Sequence, residues 1–336
     1  MKIAIVKLSA LGDIVHAMIV IQFIKMQDQK IQIDWVVEER FAGLLDNHPD
    51  IKNIHKVNIQ KSKNQKSIFL LINELRSIRK FGPYDIVIDM QGLIKSALVS
   101  RLIPSPITIG FDRFSIRENM ASFFYNKKFQ CDYCENVIKR NIALISFALD
   151  SKVSSQATMQ KLPFLYSSQK HLNVILSHLK KNIVLIPGAS YQAKRYPMEK
   201  FIDLTKNLDA NFIIIWGNKN EEVIANEIKN QAANINVNVS EALSLDALIS
   251  LINKVDLVIG PDTGPTHIAW ALNVPSITLF GPTPGLRNTY ITKINKVIES
   301  DSKVNPRKIN KNDYSIKNIS VDEVVKMSES LLYKNK

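Results

Sequence analysis

The chain has 336 residues, 46% of them hydrophobic and 22% charged, which describes a folded globular protein and excludes a disordered or collagen-like one. That length exceeds one ordinary core and argues for two domains. Basic residues outnumber acidic ones 44 to 31, and the resulting net charge of +13 favours an anionic partner, although a compositional drift toward lysine (34 of the 44) gives the same figure. No apolar run reaches the roughly 18 residues of a membrane span, and the opening MKIAIV meets Lys7 too soon for a signal-peptide core. The expected location is the cytoplasm.

Short β-branched runs alternate with helix-length segments, the pattern of a parallel sheet with crossover helices. Strands are expected at 2–6, 33–38, 85–89 and 107–110, with a helix from about Asp13 to Met26. Each run is too continuous for a one-faced strand and suits a sheet covered on both sides. The pattern restarts at 182–187 and continues with strands at 211–216, 235–239, 256–260 and 276–280. Between the series, residues 151–168 are polar and carry Pro163, placing a boundary near 160–175. The expected class is α/β: two doubly wound domains, 1–165 and 175–320, facing across a cleft, with ligands at the carboxyl ends of the strands.

Two local features point to little. Cys131 and Cys134 form a lone CxxC with no second pair to complete a zinc site, and the basic, irregular segment before them does not suit a redox motif. Between Asp50 and Glu74 there is no acid, while Lys52, Lys56, Lys61, Lys63 and Lys66 all fall there. Such a stretch suits phosphates or a membrane surface, and equally a solvated loop. It lacks interleaved aromatics, and no DNA-binding motif is present, so nucleic acid is not an expected partner.

The chemistry gathers where strands end. The first strand runs into KLSALGD, a turn with one glycine where a dinucleotide site would show GxGxxG. Asp13 there is either a helix N-cap or a carboxylate able to take a proton from a hydroxyl. In the second half, DLVIG runs into PDTGPTHIAW, a buried strand, a small-residue turn and a helix start, which together suit a phosphate. The alternative is that Asp262 or Thr263 only caps the helix. Segment 183–187 leads into GASYQAKR, whose Lys194 and Arg195 suit a diphosphate or a plain surface. IIIWG leads to Glu221 and Glu222, where a carboxylate bridges ribose hydroxyls or merely favours a helix start. No two aspartates lie two apart, so no DxD motif holds a metal on a diphosphate, and cations and helix termini must stabilise any diphosphate leaving group.

Taken in order, KIAIVKLSALGDIVH, DWVVEE, VIDMQGLIKSAL, RENMASFFYNKK, IWG, DTGPTHIAWAL and LFGPTPGL span most of the chain. In this combination the sequence resembles the bacterial lipopolysaccharide heptosyltransferases, and SALGD with DMQGLIKSA resembles the first transferase of that group over the second. The resemblance implies a GT-B fold with an N-terminal acceptor domain, a C-terminal nucleotide-sugar domain and a final segment, 321–336, packing back on the N-terminal domain. It implies inverting, metal-independent transfer of L-glycero-D-manno-heptose from ADP-L-glycero-β-D-manno-heptose to the first Kdo of Kdo₂-lipid A, with no cofactor. Peripheral association with the cytoplasmic face of the inner membrane follows from where that acceptor lies.

Position by position, the resemblance makes Asp13 the catalytic base and Lys194 the diphosphate lysine. Glu221 then holds the ribose, Leu243 reads adenine through its backbone, and Asp262 contacts the heptose. Thr263, Gly264 and His267 form the diphosphate-binding helix start. Ala189 and Ser190 stand where relatives often carry two threonines, so any role for Ala189 rests on its backbone. Lys61, Lys63 and Lys66 fall in a basic loop near the acceptor, lysine here where relatives use more arginine, and Arg117 is a further acceptor-side candidate. The rival expectations are the second heptosyltransferase or another nucleotide-sugar transferase of the same fold, and a non-catalytic protein binding a nucleotide sugar or an anionic lipid.

Overall fold

A computed structural model describes residues 1–59 and 68–333. The chain divides into two compact units, Met1–Phe164 and Leu165–Lys336. The first holds β1 (Lys2–Val6), β2 (Gln32–Glu38), β3 (Ile51–Val57), β4 (Ile86–Asp89), β5 (Ile107–Phe111) and β6 (Lys127–Phe129), in the sheet order β3-β2-β1-β4-β5-β6. The second holds β7 (Lys181–Leu185), β8 (Ala210–Ile214), β9 (Val237–Val239), β10 (Leu257–Pro261), β11 (Ser276–Phe280) and β12 (Asn295–Glu299), in the order β12-β11-β10-β7-β8-β9. Each pairing among these strands is parallel. Counted within its own unit, each sheet has the same order, 3-2-1-4-5-6, that of a doubly wound dinucleotide fold.

The central strands are largely apolar, as suits a sheet covered on both faces. Ile3, Ile5, Val87, Ile88, Ile183, Leu185, Phe212 and Ile259 are all essentially without solvent contact. Each such side chain contributes about 1.5–3 kcal/mol of burial free energy. The expected central strands appear within a few residues of their expected bounds. β3, β6 and β12 were not expected, and each lies at or near a sheet edge. β3 is exposed or half-buried up to the buried Val57 and carries the exposed Lys52 and Lys56, so the first part of the basic 52–66 stretch is strand, not loop. Lys61, Lys63 and Lys66 lie outside the described residues.

The chain closes with helix Val321–Tyr333. It lies in the second unit, where Val324 is fully buried in the core that contains Ile183, Phe212 and Ile316, with Val325 and Leu331 packed beside it. Its approach is tied to that unit as well: the Tyr196 hydroxyl donates to the Ile319 carbonyl at 3.2 Å and Lys200 Nζ donates to the same oxygen at 2.6 Å. The apolar stripe of the helix thus packs into the second core. Among the described residues no helix is long and apolar enough to cross a membrane.

Candidate active site

In a doubly wound sheet the strand order reverses between the first and fourth strands, and the loops leaving those strands part there to make room for a ligand. In the second unit these strands are β7 and β10. Asp262 follows β10 directly and is 7% exposed. Lys194, in a short 3-10 turn after β7, donates from Nζ to Asp262 Oδ2 at 2.9 Å. His267 Nε2 lies 3.1 Å from Oδ1, and Asn288 Nδ2 donates to Oδ2 at 3.3 Å. Burial alone would raise the Asp262 pKa, but the Lys194 ammonium and His267 outweigh it and hold the carboxyl well below the usual carboxylate range. The site therefore carries a buried, fully ionised carboxylate with a cation on it.

The turn and helix after Asp262 are built for close approach. Thr263 occupies the N-cap position of helix Gly264–Ala271, whose first turn contains Pro265. The Thr266 hydroxyl donates to the Thr263 carbonyl at 2.6 Å and accepts the Thr263 N–H at 3.4 Å, which fixes the turn. At Gly260 an added Cβ would stand 2.7 Å from Ile186 Cβ, so the small residue is required for β10 and the end of β7 to lie this close. Tyr191 lies beside the pair, with the Lys194 ammonium 5.8 Å from its ring. Its hydroxyl is buried and has no hydrogen-bond partner among the described residues. Burial, then the Asp262 and Asp313 carboxylates, push it up to about 12.

Across β7 and β8 a second carboxylate is held in place. Asn218 caps helix Lys219–Ala232 by accepting the Glu221 N–H at 3.1 Å, and Glu221 Oε2 accepts the Gly217 N–H at 2.8 Å. The Glu221 carboxyl lies so close over Gly188 that a Cβ there would stand 2.3 Å from Cδ. Thus the GASYQAKR turn, the IWG turn and the DTGPTH turn present Glu221, Lys194 and Asp262 along one carboxyl edge.

In the first unit the corresponding strands are β1 and β4. Helix Leu11–Met18 starts after Ala10, so Asp13 is its third residue and not the N-cap; the exposed side chain reaches back, Oδ2 accepting the Ala10 N–H at 3.2 Å. The turn that carries it is gripped from β4. Gln91 Oε1 accepts the Leu8 N–H at 2.7 Å and the Ser9 N–H at 3.2 Å, while Lys7 Nζ donates to the Met90 carbonyl at 3.0 Å. Gln91 is held in turn by Asp89, which is fully buried: its Oδ1 accepts the Gln91 and Gly92 N–H groups and its Oδ2 the Ser96 and Tyr125 hydroxyls. Burial raises the Asp89 pKa, and these four donors counter it.

A family model described as glycosyltransferase family 9 (heptosyltransferase) matches residues 73–315. The chain belongs to that family. Lipopolysaccharide heptosyltransferase 1 of Campylobacter coli is 38% identical to it over 98% of this chain and 99% of its own length. The solved structure of E. coli heptosyltransferase WaaC with ADP superposes with a TM-score of 0.80 at 26% identity, covering 98% of this chain and 100% of that one. WaaC with ADP-2-deoxy-2-fluoro heptose gives 0.79 at 25% identity, over 98% and 99% of the two chains. As a family 9 member the protein is a glycosyltransferase, and its paired doubly wound sheets are the GT-B fold.

For a family 9 glycosyltransferase, most residues expected at the donor site do converge: Lys194, Asp262, Thr263, Gly264 and His267 are contiguous, and Glu221 sits against the Gly188 turn. On that turn Ala189, which carries no hydroxyl, is buried, and Ser190 exposes its own. Leu243, half-buried, lies just before Ser244, the cap of helix Leu245–Ile252 in the loop after β9. Arg117 is exposed in the loop after β5. Among the described residues no group of three His, Cys, Asp or Glu side chains is arranged to hold a metal. Cys131 and Cys134 are free thiols, and burial raises the Cys131 pKa. Sequence reasoning missed Asn288 and Gln91. Both stand inside or directly after quoted motifs, LFGPTPGL and DMQGL, but their partners lie 26 and 82–83 residues away.

Proposed function

We propose that this glycosyltransferase moves L-glycero-D-manno-heptose from ADP-heptose to the first Kdo of Kdo₂-lipid A, inverting the anomeric carbon and using no metal ion, as a peripheral enzyme on the cytoplasmic face of the inner membrane. The reading rests above all on the buried Lys194–Asp262–His267 constellation at the start of helix Gly264–Ala271. The likeness to a heptosyltransferase solved with ADP and with an ADP-heptose analogue supports it.

In this mechanism Asp13 Oδ1 takes the proton of the Kdo hydroxyl as that oxygen bonds to the anomeric carbon. The bond from that carbon to the ADP oxygen breaks, and ADP leaves with the electron pair. Lys194 and the N-terminal dipole of helix Gly264–Ala271 stabilise the departing diphosphate. Asp262, held ionised, offers its carboxylate to the heptose, and Glu221 takes the ribose hydroxyls. The lowered Asp262 pKa serves this role, since a protonated Asp262 would release Lys194 from its place.

The test is ADP release from ADP-L-glycero-β-D-manno-heptose, with and without Kdo₂-lipid A, repeated in EDTA. Acceptor-dependent release that is insensitive to EDTA is expected. Release only with an already heptosylated acceptor would move the activity to the second transferase. Asp13→Asn is expected to bind the donor normally and lose at least 100-fold in kcat, the range for removal of a general base. A folded Asp13→Asn variant with near-wild-type kcat would remove Asp13 from the mechanism.

A further inference from the structure

One apolar face of the first unit has no part in the steps above, although Arg117, an acceptor-side candidate, lies on the same stretch of chain. The 3-10 helix Asn119–Phe124 brings Met120 and Phe123 onto one face, because residues three apart eclipse in that helix. They are 62% and 73% exposed, large values for such side chains. Ile94, also exposed, adjoins them: its N–H is capped by the Glu118 carboxylate at 2.8 Å, and the helix it starts packs on Asn119–Phe124. Phe114, 59% exposed, precedes them with the Arg113 guanidinium 4.6 Å from its ring.

These side chains are displayed on a firm base. Ser115, Ile116, Ala121, Ser122 and Tyr125 beneath them are buried. The buried Arg140 donates to the Ser115 carbonyl at 2.6 Å. The surroundings are cationic: Arg113, Arg117, Lys127 and Lys128 are all exposed on the same stretch of chain. Two acids share the stretch, Glu118 on the Ile94 N–H and Asp112 on the Ser115 N–H at 2.9 Å, so residues 112–128 carry four basic against two acidic side chains, a net +2.

We infer that the Met120–Phe123 face is a docking surface for an anionic lipid bilayer, with the apolar side chains entering the headgroup boundary and the basic residues of the same stretch meeting lipid phosphates. Charge complementarity selects this occupant. A second copy of a chain with net charge +13 would bring like charges together. A stable protein interface needs about 800 Å² from each partner, more than a few protruding side chains supply. A bilayer needs no shaped groove, only inserted apolar groups flanked by basic ones. The inference deepens the peripheral-membrane part of the proposed function, but lipid binding requires neither donor nor sugar acceptor and so is tested apart from sugar transfer.

The experiment is co-sedimentation of the full chain with vesicles of phosphatidylglycerol and phosphatidylethanolamine, against phosphatidylcholine alone. At low salt, partitioning onto the anionic vesicles is expected to be at least tenfold stronger. Met120→Ser with Phe123→Ser should lower it tenfold or more at an unchanged melting temperature. Lys127→Gln with Lys128→Gln should lower it on anionic vesicles only. If the Met120→Ser, Phe123→Ser chain partitions like the wild type, or the wild type does not bind anionic vesicles, the inference is wrong. Equally strong retention on soluble polyglutamate would overturn it in favour of an acidic polypeptide.

Discussion

Replacing Lys194 by Met keeps the aliphatic stem and removes only the charge opposite Asp262. The two side chains are 11% and 8% exposed, so water cannot replace the lost ammonium. What remains on the carboxylate is His267 at 3.1 Å and Asn288 at 3.3 Å. Removing one partner of a buried ion pair costs about 3–5 kcal/mol, and with two partners left the lower end, about 3 kcal/mol, is expected. Urea unfolding of the ligand-free protein at pH 7, followed through Trp216 and Trp270, measures this. Asp262→Asn should cost a similar amount, and the double variant should recover about 2 kcal/mol relative to the sum of the two. The pH dependence has a definite sign. Because the folded-state pKa of Asp262 is lowered, its contribution is complete above the unfolded value of about 4 and is lost as pH falls below it. The Lys194→Met chain should lose less stability over that acid range than the wild type. A Lys194→Met variant within 1 kcal/mol of wild type, with additive double-variant energies, would refute the buried pair.

Gly188→Ala should leave the fold intact, since the three atoms nearest the added Cβ are all at the flexible end of Glu221; displacement of that carboxylate should weaken ADP binding about tenfold, roughly 1.4 kcal/mol, by calorimetry. Gln91→Leu leaves the Leu8 and Ser9 N–H groups without their acceptor, at a cost of about 1–3 kcal/mol. It should lower kcat while ADP affinity stays unchanged, and an unchanged kcat would show that Gln91 does not position the Asp13 turn. His48 is buried and accepts the Asp50 N–H on Nδ1 at 3.2 Å; burial pushes its pKa down to about 4. The unfolded chain therefore takes up a proton first, so stability should be level above pH 6.5 and fall by up to about 3 kcal/mol on acidification toward pH 4. His48→Gln should flatten that part of the unfolding profile.

The sequence by itself determined the parts that local physics controls. Continuous apolar runs such as IAIV, IVI and FIII suit strands covered on both faces, and the alternation with helix-length segments dictates parallel crossover connections. Strand-end turns with small residues marked both carboxyl edges, and the ordered motifs led to the family. Of the four edge strands only β9 was legible; β3, β6 and β12 were not. In β3 the pattern of Lys52, Asn53 and Lys56 is that of a loop, because one side of an edge strand faces solvent and needs no apolar side chain. Tertiary structure alone decided the assembly of the site. Lys194 and Asp262 are 68 residues apart, and nothing local says that the turn after β7 stands beside the one after β10. That follows from the strand order, which places β10 against β7. The same order brings Gln91 under the Asp13 turn through the contact of β1 with β4. The closing helix makes the same point in reverse: its periodicity shows an apolar stripe, but which core receives that stripe depends on where the chain ends up in space. Periodicity reports that a surface is to be buried, and only the packed structure says against what.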